Sequence, residues 1–150
     1  MKAIRIHDYG TPEVLCYEDA PIPEPGPREV RVRVHAAGVN PADRQIRAGL
    51  RFRLEKPFAF IPGFEVSGII ENVGTEVTEL GVGDEVYGML GLLGGGHAEY
   101  AVAAADNFGR KPASLDHVHA AALPVAALTA WDALFEVGDP VAAFLLLAIV

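Results

Sequence analysis

Apolar and polar residues alternate along much of the first hundred positions. Val30, Val32 and Val34 interleave with Arg31, Arg33 and His35, the period-two pattern of a strand with one face buried and one wet. Similar short runs at residues 2–6, 14–18, 66–73, 85–87 and 98–102 predict further strands. Turn formers separate them: Gly10-Thr11-Pro12, the proline-rich stretch 21–27, Gly81-Val82-Gly83-Asp84 and Gly94-Gly95-Gly96. This spacing predicts a small, partly open β-barrel. One helix is expected inside it, over residues 41–48, with Asn40 as N-cap and Pro41 at the first helical position, where a missing N–H costs nothing.

After Pro112 the period changes. Ser114 is a candidate cap for a helix running through Asp116, His117, Val118 and His119 to Leu123, with Asp116 in the first turn, where a negative charge suits the helix dipole. Pro124 breaks or kinks that helix. A second helix is expected over residues 125–137. In it Val125, Leu128, Ala133 and Leu134 can share a face, Trp131 and Phe135 can form a core pair, and Gly138 is the stop. The expected class is mainly β with short helices: one domain over residues 1–139, followed by an atypical apolar tail over residues 140–150.

Composition narrows the partners. A chain of 150 residues that is 51% hydrophobic can bury a proper core. A formal net charge of −8 repels phosphate backbones and anionic lipid, so neither nucleic acid nor membrane is expected. The single cysteine, Cys16, excludes an intrachain disulfide and a four-thiolate zinc lobe. Polar residues, Lys2, Arg5, His7 and Asp8, interrupt the first eight positions where an export signal builds its apolar run, and the tail is too short to span a bilayer, so a cytoplasmic location is expected. A tail not folded onto the barrel exposes apolar surface that drives self-association into a homo-oligomer.

Six blocks carry a family resemblance: Gly10-Thr11-Pro12-Glu13-Val14-Leu15, Gly38-Val39-Asn40-Pro41, Pro62-Gly63-Phe64-Glu65, Gly83-Asp84-Glu85-Val86-Tyr87-Gly88, Gly95-Gly96-His97-Ala98-Glu99-Tyr100 and Leu128-Thr129-Ala130-Trp131. In order and spacing they resemble the medium-chain dehydrogenase/reductase superfamily, nearest to its zinc-independent quinone oxidoreductase-like branch. The resemblance implies a GroES-like catalytic domain, normally followed by a Rossmann domain that holds NADPH. After Asp139 the chain departs from that pattern. No Gly-x-Gly-x-x-Gly turn follows, nor a basic side chain for a ribose phosphate, and the triple glycine at 94–96 leads into a strand-like run instead of a helix. The Rossmann domain is therefore read as absent, and NADPH, implied by the family, is expected to bind this chain weakly or not at all.

Zinc-binding relatives place Cys and His where this chain has Asn40 and Phe64, and an amide oxygen is a poor zinc ligand and a phenyl ring none. Between Tyr87 and Gly95 there is no cysteine cluster for a structural zinc. No metal is expected, and His7, His35, His97, His117 and His119 read as non-ligands. Reduction without a metal is direct hydride transfer, with the carbonyl polarised by hydrogen-bond donors. Asn40 is the foremost catalytic and cofactor-binding candidate: its amide can orient a substrate carbonyl or the nicotinamide, serve simply as helix cap, or divide its two ends between these tasks. Gln45 stands where relatives often carry a tyrosine and is the second catalytic candidate. Asp43 is a cofactor-binding candidate and is also spaced for a surface ion pair with Arg47. Thr129 matches the threonine that the family packs against the nicotinamide, although a helical threonine equally bonds back to its own turn. Glu65 reads as a buried structural acid. The resulting expectation is the catalytic-domain portion of an NADPH-dependent oxidoreductase that reduces a quinone or other small carbonyl acceptor such as an enone, inactive alone. A component of a split or homodimeric reductase and a non-catalytic GroES-like interaction module are the alternatives.

Overall fold

The computed structural model describes residues 1–50, 58–91 and 94–136. Two antiparallel sheets carry the fold. Strands β1 (Lys2–Arg5) and β2 (Cys16–Asp19) form a ribbon, and β3 (Glu29–Ala37), β4 (Glu65–Val73), β5 (Glu85–Met89), β6 (Tyr100–Ala104) and β7 (Phe108–Arg110) form a sheet ordered β6-β3-β4-β5-β7. Single bridges, Ala3 to Ala98 and Ile6 to Phe60, tie the ribbon to the rest. This is the open, mainly β, GroES-like architecture expected, with no Rossmann fold among the described residues.

The alternation at β3 does what its period dictates. Val30 and Val32 are fully buried while Arg31 and Arg33 turn outward to Glu24 and Glu71. Val30, Val32, Val66, Ile70, Val86, Ala101, Ala103 and Phe108 pack into the main core. In the β3–β4 register Val34 pairs with Gly68 and Ala36 with Ser67, so His35 is a bulged residue. Strand β7 was not foreseen: only Phe108 of its three residues is apolar, too short a signal for any periodicity.

A smaller core of Ile6, Ile46, Phe60 and Phe64 lies beneath helix α1 (Pro41–Arg47), and Val125 packs against it. The helical region corrects three expectations. Helix α2 (His117–Ala121) is capped by Asp116, whose carboxylate accepts the His119 N–H at 2.8 Å; Ser114 is not the cap. The helical run does break ahead of Pro124, which is itself the first residue of α3 (Pro124–Trp131), and α3 continues over Asp132–Glu136 in wider π-type turns. The anticipated shared buried face does not form. Ala133 is buried, but Leu128 and Leu134 are 50% and 57% exposed. Trp131 and Phe135 do pair, with ring centroids 4.6 Å apart, but at 57% and 65% exposure they are a surface pair and not a core one. Val137, Gly138 and the tail at 140–150 lie outside the described residues. No described helix is long and apolar enough to cross a membrane.

Candidate active site around helix α1

Helix α1 is short, and its start is fixed by side chains. Asn40 Oδ1 accepts the Ala42 N–H at 2.9 Å, and Asp43 Oδ2 accepts the Asn40 N–H at 2.8 Å, a reciprocal capping box. The other oxygen, Asp43 Oδ1, accepts the Gly63 N–H at 2.7 Å. Gly63 has φ +94°, a left-handed conformation suited to glycine, and a Cβ there would meet the His97 backbone nitrogen at 2.7 Å. The buried Asp43 thus pins the Pro62-Gly63 turn to the helix.

This arrangement replaces the expected Asp43–Arg47 ion pair. Both Asp43 oxygens are taken by backbone N–H groups, and Arg47 Nη1 instead donates to the Gly10 carbonyl at 2.9 Å. Asn40, Asp43, Arg44 and Arg47, spaced i, i+3, i+4 and i+7, share one helix face and border a groove of about 380 Å³, with His97 and the apolar Ile4 across from them. Because Asn40 spends its carbonyl oxygen on the cap, its amide NH₂ is the end left to donate. Gln45 points from another face of α1 and is not among the groove's lining residues. Thr129 sits half-buried on α3, a separate element, and is not among them either. The structure therefore brings Asn40 and Asp43 to one place and leaves Gln45 and Thr129 outside it. Sequence reasoning missed His97 as a groove residue. Its Nε2–H donates to the Gly38 carbonyl at 3.0 Å, a partner too far along the chain for any local pattern to show.

Glu65 is buried behind the same turn and caps α3: its Oε2 accepts the Val125 N–H at 2.9 Å. Burial pushes its carboxyl above the usual range, helped by the charge of Asp43 and opposed by the Val125 hydrogen bond. The absence of a side chain at Gly38 makes room for it, since a Cβ there would stand 2.5 Å from Glu65 Oε1.

A second cluster has the residue types of a hydrolytic triad. His117 Nδ1 lies 2.8 Å from Ser67 Oγ, and its Nε2 lies 3.5 Å from Glu85 Oε1. The polarity is wrong for nucleophilic attack. Ser67 donates its hydroxyl proton to the Val86 carbonyl at 2.9 Å, so it accepts from His117 Nδ1–H, and it is fully buried. The cluster is structural: the His117 ring stacks on the bulged His35 with centroids 4.5 Å apart and docks α2 on the sheet. No group of three or more His, Cys, Asp or Glu side chains among the described residues is arranged to hold a metal ion.

Comparison with known proteins follows the same lines. The sequence profile of the alcohol dehydrogenase GroES-like domain matches residues 26–113. Quinone oxidoreductase from Mus musculus is 42% identical over 138 residues, spanning 91% of this chain and 41% of the relative. The structure of quinone oxidoreductase from Coxiella burnetii superposes with a TM-score of 0.87 at 35% identity, covering 91% of this chain and 44% of that one. Escherichia coli quinone oxidoreductase complexed with NADPH superposes with a TM-score of 0.83 at 30% identity, over 91% of this chain and 41% of that one. The chain spans about two fifths of the length of the curated relatives it matches.

Proposed function

Because the chain belongs to the alcohol dehydrogenase GroES-like domain family, in the quinone oxidoreductase-like branch of the medium-chain dehydrogenase/reductase superfamily, we propose that it is the acceptor-binding portion of an NADPH-dependent oxidoreductase. Its substrate in this reading is a quinone or enone carbonyl, reduced by direct hydride transfer without zinc. The observation that carries the reading is the fixed amide of Asn40, whose cap bond leaves its NH₂ to polarise a carbonyl oxygen beside the groove. Asp43 holds Asn40 through the backbone and so acts on cofactor and acceptor indirectly. The resemblance alone assigns Gln45 to the acceptor and Thr129 to the nicotinamide, and both stand outside the groove. The cofactor supplies the hydride when bound.

In this reading the chain meets only the nicotinamide end of a dinucleotide. The glycine turns with φ > 0 at Gly91, Gly94 and Gly95 precede β6, not a helix, and so present no helix N-terminus to a pyrophosphate. The proposal therefore places the phosphate contacts on a dinucleotide-binding unit, on a longer form of this chain, a second copy or a separate chain. The exposed Leu128, Trp131, Leu134 and Phe135 favour such a partner. A reducing, cytoplasmic setting belongs to the same proposal and suits the exposed free thiol of Cys16.

The test is a fluorescence titration of the purified chain with NADPH, read by energy transfer from Trp131. No saturation at millimolar cofactor is expected, with binding restored by fusion to the dinucleotide-binding domain of a quinone oxidoreductase. In that fusion Asn40→Asp keeps the cap oxygen but removes the NH₂ donors, and turnover should fall about 10²-fold with little loss of stability. Unchanged turnover would remove Asn40 from the chemistry.

A further inference from the structure

The groove beside α1 has a chemistry of its own. In a chain of net charge −8, its rim carries two guanidinium groups and a single carboxylate. That carboxylate, Asp43, is buried and already accepts two backbone N–H bonds. Arg47 uses Nη1 on the Gly10 carbonyl, and Arg44 has no ion-pair partner among the described residues. Glu13 is not among the lining residues; it receives the hydroxyl of Thr11, and the charge of Arg47 is a lesser influence on its carboxyl. The walls between these cations are apolar, among them Ile4, Leu15 and Val39.

We propose that this groove binds a small amphipathic carboxylate, an aromatic or branched apolar body carrying one carboxylate group. A planar guanidinium matches a carboxylate fork, and the apolar walls match the body. Its volume, about 380 Å³, lies at the small end of small-molecule sites. His97 adds a selective feature. Its Nε2–H is committed to Gly38, so in the neutral ring Nδ1 is an acceptor, suited to a hydroxyl or N–H on the ligand body. Asn40 borders the same groove, so the inference names a ligand for the site of the proposed reduction, but binding there needs no hydride transfer and is read without cofactor.

The probe is naphthoate, titrated into the isotope-labelled chain without cofactor and followed through backbone amide resonances. The neutral naphthylmethanol and inorganic phosphate are run in parallel. The expected result is saturable shifts at Val39, Arg44 and His97, with naphthoate bound about tenfold or more tighter than either control. Arg44→Gln should weaken naphthoate about tenfold and leave the alcohol unchanged. Val39→Glu sets a repelling charge on an 82% exposed position and should abolish binding without touching the core. Equal binding of the alcohol, equal binding of phosphate, indifference to both substitutions, or shifts centred on Trp131 would each overturn the proposal. Because no cofactor is present, its failure leaves the reductase reading standing.

Discussion

At the scale of single residues, the site depends on one buried carboxylate. Asp43 joins the helix start to the Pro62-Gly63 turn through two charge-assisted bonds. Asp43→Asn keeps the shape, but its NH₂ must face one of two backbone donors. Unfolding in urea should show a loss of about 2–3 kcal/mol, and the acceptor face of α1 should be disordered with it. Asn40, with its cap and the proline after it, was legible in the sequence because capping is local and its spacing is fixed. The fate of Asp43 was not. An i,i+4 arginine advertised an ion pair, whereas the winning partners were backbone groups, one of them twenty positions away at Gly63. The same distance blindness hid His97 and the Glu65 cap on α3.

At the scale of elements, strands with regular alternation were readable and weak or short signals were not. β3 shows its two faces in sequence because one is wet and one is buried, while β7 has one core residue and no pattern. The start of α2 was misplaced because Ser114 and Asp116 are both good caps and sequence alone does not rank them. The structure does, and the difference is measurable. Asp116→Ala should cost about 1 kcal/mol in chemical denaturation, whereas Ser114→Ala should change stability by no more than a few tenths. The failed apolar face of α3 has another cause: periodicity assumes a covering layer, and Leu128, Trp131, Leu134 and Phe135 meet none among the described residues.

At the scale of the whole molecule, stability should depend on pH through two groups of opposite effect, the half-buried His117 and the buried Glu65. Burial first, then the charge of His35, lowers the imidazole of His117 below its ordinary value of 6.5, with Glu85 opposing and Lys111 assisting. The unfolded chain therefore takes up this proton first, and acidification below about pH 6.5 costs stability until the folded value is passed. Glu65 works the other way. Its folded carboxyl titrates above the ordinary 4.5, so its ionisation is a cost at neutral pH that is relieved as pH falls through the folded value. Thermal unfolding from pH 8 to pH 4 should show His117→Gln losing the acid-side decline and Glu65→Gln losing the opposing gain. The mainly β class and the family resemblance needed only local pattern, and these couplings between distant side chains needed the fold. The division of the interior into a large cluster in the sheet and a four-residue cluster of Ile6, Ile46, Phe60 and Phe64 under α1 sets how the molecule opens. The small cluster holds less apolar area, so α1 should swing open in a partial unfolding that spares the sheet, and its amide protons should exchange with solvent well before those of β3 and β4. The groove would then belong to the most readily opened part of the protein, and any molecule that fills it would be seen first as a slowing of that exchange.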